Sequence, residues 1–491
     1  MYIPSVEEAA KLANDYDQIP VKREILADIR TPIQVLKILK KHSGHVYMLE
    51  SVKNQDHWGR YTFLGFNPIE CITCVNGDLK VMDDEGNVVF EQHTAHPALY
   101  LKEKLAGLKS PRLPDFPSFT GGLVGYFAYD YIKYSEPGLV LDADDSEHFK
   151  DMDLMLFDKV IAFDNVKQKI VIIANVKTDN LEENYNDAVK AIDNIADLIE
   201  HGEEAFVENG RLVSDYRPLF DEVAYCEMVE KGKKYIYEGD IFQVVLSNRL
   251  DADFEGSLFN TYRVLRTLNP SPYMFYFSGD DMEACGASPE TLVKLEDGVL
   301  HTFPLAGTRR RGKDEEEDKA LEEELLADEK ECAEHNMLVD LGRNDIGKIS
   351  EFNSVEVEEY MSIERFSHVM HIGSTVRGQI KEGKDALDAI DAILPAGTLS
   401  GAPKLRACEI INELEDSKRG MYGGAIGYID FTGNLDTCIA IRLVFKKNGK
   451  VFVRSGAGIV ADSVPKKEYE ECLNKAKAVI TAIEMAERIR D

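Results

Sequence analysis

The chain has 491 residues, 44% of them hydrophobic, which is enough to bury a large core in two or three domains or one elaborate one. Its 57 Lys and Arg against 88 Asp and Glu leave a net charge of −31, which repels phosphate backbones and anionic lipid and argues against nucleic acid or membrane surfaces as partners. The same charge repels an anionic small substrate, so a site for one needs local cations, backbone N–H groups or a metal.

The first stretch, MYIPSVEEAAKLANDYDQIP, carries acidic residues where a secretory signal needs a basic and then an apolar region, and no apolar run approaches a membrane span. With eight scattered cysteines, the expectation is a cytoplasmic protein with reduced thiols. HVYMLES, GRYTFLGFNP, CITCVNGDLKVMD and GNVVFEQ have strand lengths, with hairpin-type turns at NGD and DEGN. The CxxC of Cys71 and Cys74 has no second pair nearby and is better read as core thiols on a strand than as a zinc site. KVIAFDNVKQKIVIIANV predicts two strands around a turn, and NLEENYNDAVKAIDNIADLIEHG an amphipathic helix. The acidic EEAFVENGRLVSDYRP has the character of a connection, which puts a boundary near residue 215 and divides the chain into 1–215 and 216–491.

Beyond that boundary, LFDEVAYCEMVEKGKKYIYEGD predicts a helix ending at glycine, and IFQVVLSNRLDADF a strand. YMFYFSG, TLVKLEDGVLHTFP, AIGYIDF and CIAIRLVFKKNGKVFVRSGAGIV predict further strands, with helices over roughly 313–341, 402–415 and 465–488. Hairpin-joined strands with helices between groups of them give an α+β class and not a doubly wound parallel sheet.

Two glycine patterns fall short of nucleotide motifs. GAGIVA (456–461) closes a hairpin with no βαβ unit around it, and GTLSGAPK (397–404) has neither the spacing nor the ending of a P-loop. The loops LAGTRRRG, PAGTLSGAP and RSGAGIV do expose backbone N–H groups of the kind that bind anions, and Ser400 is placed to cap a helix with Pro403 in its first turn. Three such loops in one half of an acidic protein favour a site for a small anion with more than one carboxylate. Glu331 and Glu334 share a helix face, as do Glu468 and Glu471; on spacing alone, two solvated faces are the better reading.

The runs GDIFQVVLS, NPSPYMFYF, GASPE, FPLAGTRRRG, DEKECAEHNMLVDLGRND, HVMH, PAGTLSGAPKLRACEIINELE, YGGAIGY, IAIRLVF and VRSGAGIV follow one another in a single order. Together they resemble the chorismate-utilising enzymes, and within them the anthranilate synthase large-subunit branch. YMLESV and GRYTFLGFNP resemble the first region of that branch, so 1–215 would carry a regulatory site and 216–491 the catalytic one. The resemblance implies antiparallel β-sheets packed face to face as a sandwich with helices on the outside.

It also implies roles. Glu331, Glu334, Glu468 and Glu471 would hold one Mg²⁺ on the ring carboxylate of chorismate, Glu334 and Glu471 directly and the other two close by or through water. Arg442, Tyr422, Gly456 and Gly458 would hold the enolpyruvyl carboxylate, with Gly307, Thr308 and Lys475 near the ring end. Glu290 would protonate the departing C4 hydroxyl. His371, preceding Thr398 in the family pattern, would remove the C2 proton after ammonia adds there, with His368 as the rival histidine. Gln243 stands where isochorismate and salicylate synthases have a water-activating lysine, and Ala306 where many aminodeoxychorismate synthases have a nucleophilic one. Both point to ammonia attack and release of anthranilate and pyruvate, with aminodeoxychorismate synthase as the alternative. No G-x-C-x-G glutaminase turn occurs in the chain, so a separate glutamine amidotransferase subunit is expected to supply ammonia. Glu50 and Ser51, with Asn269, Pro270, Ser271, Pro272, Tyr273, Met274, Phe275 and Gly286, would form a pocket through which tryptophan inhibits.

Overall fold

The structure, a computed structural model, describes residues 1–51, 59–365 and 369–489. Its strands assemble into two large antiparallel sheets. The first runs from Gln18–Leu26 through Lys169–Lys177, Lys159–Asp164, Tyr61–Phe66, Val46–Glu50, Tyr273–Ser278, Glu283–Ser288, Leu443–Lys447 and Lys450–Ile459 to Gln243–Glu255. The second runs from Leu305–Arg310 through Val369–Gln379, Val299–Thr302, Thr291–Glu296, Leu435–Ile439, Ala425–Asp430, Gly122–Phe127 and Met152–Phe157 to the meander Glu70–Val75, Asp78–Asp83 and Val88–His93. Strands from either side of residue 215 are neighbours in both sheets: Val46–Glu50 pairs with Tyr273–Ser278, and Gly122–Phe127 with Ala425–Asp430. Residue 215 itself falls between two short strands, Arg211–Leu212 and Arg217–Pro218, that both pair with Gln243–Glu255.

The two-residue period of the strands sorts their side chains into separate cores. In Tyr273–Ser278, Phe275 and Phe277 point between the sheets, where they join Tyr47, Phe63, Phe157 and Phe445 in an aromatic layer. Met274 and Tyr276 point the other way, under helices Pro32–His42, Leu181–His201, Phe259–Leu268 and Pro465–Ala486. Helix Leu181–His201 buries Ile192, Ile195 and Ile199 on one stripe, each worth about 1.5–3 kcal/mol when fully removed from water. Helices Pro97–Ala106, Glu329–Gly347 and Ala386–Ile393 cover the outer face of the second sheet. The result is the expected α+β sandwich with helices outside.

Cys71 and Cys74 lie three apart on one strand and so face opposite sides, Cys71 between the sheets and Cys74 in the outer core. They cannot share a metal, and the core-thiol reading stands.

Two local expectations are corrected. The helix expected over 313–341 is two helices, Glu315–Ala327 and Glu329–Gly347, divided at Asp328. The apolar spacing runs across the break, but the Asp328 carboxylate accepts from the Lys330 and Glu331 N–H groups at 3.1 and 3.2 Å and starts a new N-terminus. Ser400 does not cap helix Lys404–Glu415, whose N-cap is Pro403. Gly401–Ala402 is drawn into the first sheet against Gln243 and Val244, and the Ser400 hydroxyl donates to the Ala396 carbonyl instead.

Candidate active site

Glu290 occupies the corner where the chain leaves strand Glu283–Ser288 of the first sheet and enters Thr291–Glu296 of the second. Arg442 occupies a matching corner, between Leu435–Ile439 of the second sheet and Leu443–Lys447 of the first. Its φ of 53° puts a non-glycine residue in the left-handed region, a strain that structures tolerate mainly at functional positions. The Thr398 Oγ1 donates to Glu290 Oε1 at 3.0 Å. Burial pushes the Glu290 carboxyl up to about 7, while the Thr398 hydrogen bond and the charges of Lys475 and Arg442 pull against that rise. A carboxyl in that range keeps a proton on about half of the molecules near neutral pH and can act as an acid.

An open cleft of about 500 Å³ lies beside this corner, lined by Arg442, Glu471, Lys475, Lys467, Asn474 and Asn269. Arg442 Nη1 donates to the Lys475 carbonyl at 2.7 Å, which ties the strand corner to helix Pro465–Ala486. Lys475 Nζ reaches the Gly456 carbonyl at 3.0 Å and the Glu471 carboxylate at 2.7 Å. The strand bearing Gly456 and Gly458 runs close behind. A Cβ at 458 would come within 2.6 Å of the Gln243 side-chain Nε2, and one at 456 within 3.1 Å of the Tyr422 hydroxyl. Glycine there lets Gln243 and Tyr422 close on the backbone. Burial pulls the Arg442 guanidinium below its usual range, and Tyr422, Glu471 and Glu290 oppose that pull. Three cations, Arg442, Lys467 and Lys475, set against Glu470 and Glu471, leave this cleft locally positive in an otherwise acidic protein and suited to a carboxylate substrate.

His371 lies on strand Val369–Gln379, against a bulge in Leu305–Arg310 that contains Gly307 and Thr308. His371 Nδ1 is 2.8 Å from the Gly307 carbonyl, which can only accept, so Nδ1 carries a proton. The Thr308 hydroxyl is 3.1 Å from the same Nδ1. Gly307 has φ +63°, and a Cβ on it would press on Glu331 Oε2 at 3.2 Å. His368 lies outside the described residues.

The four glutamates come from helices Glu329–Gly347 and Pro465–Ala486. Among the described residues, no three His, Cys, Asp or Glu side chains are close enough together to hold a metal ion. The carboxylates are nonetheless within electrostatic reach of one another. Burial, then the charge of Glu331 and more weakly that of Glu471, push Glu334 up, against the opposing pull of Lys330 and Lys475. Burial and Glu471 likewise push Glu468 up. Hard oxygen donors that repel one another suit a hard divalent cation, so the donor chemistry fits Mg²⁺ although a ligand cluster is not assembled.

A larger cavity of about 900 Å³ opens between the sheets, and its lining includes Glu50, Ser51, Pro272, Tyr273, Met274 and Phe275. Asn269 instead lines the Arg442 cleft, Pro270 and Ser271 line neither, and Gly286 lies beneath Phe275, whose ring a Cβ there would strike at 2.3 Å. The Glu50 carboxylate is not available to an incoming ammonium as expected. It faces helix Phe259–Leu268, where Arg266 forks onto it and the Tyr262 hydroxyl donates at 2.6 Å. Strand alternation turns Glu50 to the same side as Met48, away from the inner layer.

Residues 45–481 match the chorismate binding enzyme family. The chain is 46% identical to anthranilate synthase component 1 of Acetivibrio thermocellus, over the full length of both, and 46% identical to that of Aquifex aeolicus over 99% of both. It belongs to the anthranilate synthase component 1 family. A crystal structure of anthranilate synthase component I from Streptococcus pneumoniae superposes with a TM-score of 0.76 at 39% identity, covering 93% of this chain and 98% of that one. The menaquinone-specific isochorismate synthase of Escherichia coli shares the fold, with a TM-score of 0.69 at 19% identity.

For this member of the anthranilate synthase component 1 family, the structure adds residues that the motifs did not mark. Lys467 and Asn474 line the cleft beside Glu471 and Lys475, and the spacing 467, 471, 474 could have placed them on one helix face. Arg60, Arg112, Lys294, Tyr428 and Asp436 join the cavity between the sheets from distant strands; Arg60 and Tyr428 lie within motif runs but carried no assigned role. Burial raises the Asp436 carboxyl to about 6, and the Tyr273 hydroxyl donates to it at 2.8 Å.

Proposed function

We propose that this chain converts chorismate and ammonia to anthranilate, pyruvate and water, as the family to which it belongs indicates. The observation that carries this reading is Glu290 at the sheet corner, hydrogen-bonded by Thr398, near Arg442 and Lys475, with its carboxyl raised by burial to about 7. Arg442 and Lys475, with the Gly456–Gly458 strand and Tyr422, bind the enolpyruvyl carboxylate and the adjoining end of the substrate. Glu290 gives its proton to the C4 hydroxyl, which leaves as water while ammonia bonds to C2. His371 Nε2 then takes the C2 proton as the enolpyruvyl C–O bond breaks and the ring becomes aromatic; the fixed Nδ1–H···O bond to Gly307 orients it for that task. Glu331, Glu334, Glu468 and Glu471 would hold Mg²⁺, which when bound offsets the repulsion between these glutamates and the ring carboxylate.

Gln243 has no basic lone pair to deprotonate water, and Ala306, 8% exposed, offers no nucleophile. Ammonia comes from a separate glutamine amidotransferase subunit in this reading, and tryptophan in the cavity between the sheets inhibits. The α-ammonium of that ligand must be met by groups other than a free Glu50, or displace Arg266 from it. Chorismate, Mg²⁺ and an ammonium salt, with product followed by fluorescence and chromatography, test the proposal. Anthranilate with equimolar pyruvate is the expected result; 4-amino-4-deoxychorismate as the sole product would overturn it.

A further inference from the structure

Behind the candidate active site lies a cluster of three charges, Glu415, Arg419 and Arg454, each with about 1% of its side chain exposed. Glu415 Oε1 accepts from the Ser247 N–H at 2.7 Å and from its hydroxyl at 2.9 Å, and Oε2 accepts from Arg419 Nε at 2.9 Å and Arg454 Nη2 at 2.7 Å. Two guanidiniums for one carboxylate leave an excess positive charge in the interior. Buried ion pairs are commonly matched or bettered in stability by apolar residues of similar volume, so stability alone does not account for such a cluster.

The remaining donors all go to segments that carry site residues. Arg419 Nη1 donates to the Leu399 carbonyl at 2.6 Å, one residue from Thr398, and Nη2 to the Val245 carbonyl at 2.7 Å, two residues from Gln243. Arg454 donates through Nε to the Ser247 hydroxyl at 2.8 Å and through Nη1 to the Lys418 carbonyl at 3.0 Å, and lies two residues before Gly456 on its strand. The Arg419 guanidinium also lies 4.5 Å from the Tyr129 ring centroid and 5.8 Å from that of Tyr422. The Gln243 strand, the Thr398 turn, the Glu415–Arg419 segment and the Gly456 strand therefore meet on this cluster, and the Arg419 fork itself spans the first three.

We propose that Arg419, held by Glu415 and Arg454, is a positioning residue for the reaction, fixing the Thr398 turn against the Gln243 strand so that Thr398 meets Glu290. The planar fork is what the task requires: one guanidinium reaches two carbonyls and a carboxylate at fixed angles, which an ammonium cannot do. The proposal rests on Glu290 being the acid.

The test compares Arg419→Lys, Ser247→Ala and Thr398→Val in the full chain, at a fixed free-ammonia concentration across pH. Thr398→Val removes the hydrogen bond that favours ionised Glu290, so the alkaline limb of kcat moves to higher pH. Arg419→Lys is expected to lower kcat by about ten- to a hundredfold with the chorismate KM within a few-fold, and to move the same limb in the same direction. Its effect should be largely lost in the Thr398→Val background. Ser247→Ala, which keeps all three charges and guards against a folding failure in Arg419→Lys, should show a smaller version of that signature. Lowered denaturation midpoints with kcat and its alkaline limb at parent values would overturn the proposal, as would a rise in KM alone. Glu290→Gln, run alongside, keeps the two readings apart: activity in that variant sinks the acid assignment and not the geometry of the cluster.

Discussion

Glu290→Gln should remove activity and yet stabilise the protein at alkaline pH. Raising a carboxyl from its ordinary 4.5 to about 7 corresponds to roughly 3 kcal/mol against ionisation, at about 1.4 kcal/mol per pH unit. Glu290 remains partly accessible, and solvent screening reduces the recoverable share to about 1–3 kcal/mol. The sign follows from linkage. Below about pH 4.5 the carboxyl is protonated folded and unfolded, so glutamine changes little. As pH rises from there to about 7 the unfolded chain ionises while the folded one resists, and the native protein loses stability. Glutamine keeps the Thr398 hydrogen bond through its side-chain oxygen and carries no charge, so that loss disappears. Denaturant unfolding of parent and variant near pH 3.5 and near pH 8.5 should show equal midpoints at the first and a more stable variant at the second. Turnover with chorismate and ammonia should fall by about 10²–10⁴. A variant no more stable at high pH, or one that still turns over, would refute the placement of a raised carboxyl at the centre of the chemistry.

Glu334→Gln and Glu471→Gln should each abolish activity and its dependence on added Mg²⁺ while leaving thermal unfolding unchanged or slightly improved, because each removes repulsion from its neighbours; wild-type-like turnover in either would end the metal assignment. His371→Ala should lower turnover by about 10²–10⁴, and a parent-like rate would move the base elsewhere. Ser51→Phe should fill the mouth of the cavity between the sheets, leaving catalysis within a few-fold and abolishing inhibition by tryptophan; inhibition that survives the phenylalanine would exclude that cavity as the site.

Much of this molecule was legible locally. Period-two and period-3.6 patterns, turn dipeptides and the terminal Gly239 marked most strands and helices, because each is decided within a window of a few residues. The motif runs marked Glu290, Thr398, His371 and Arg442, the resemblance added Lys475, and the structure brings Glu290, Thr398, Arg442 and Lys475 to one region. Where local reading failed, a competing local bond had won: Asp328 restarted a helix whose apolar spacing never paused, and strand pairing took Gly401–Ala402 from the helix that Ser400 was meant to cap.

What the sequence by itself determined was the set of elements, the chemistry available and, through its motifs, the family. Tertiary structure alone decided how charges were shared out. Glu50 looked open to a ligand until Arg266, more than two hundred residues away, was folded onto it. The Glu290 carboxyl is raised only because it is buried where the chain passes from one sheet to the other. Arg419 gained its place from Leu399 and Val245, and from Glu415, which Arg454 also holds; no single stretch of sequence brings these together. Hydrogen bonds within a turn are set by neighbours in the chain, whereas desolvation and Coulomb interaction depend on everything within several ångströms, and only the folded chain fixes those distances.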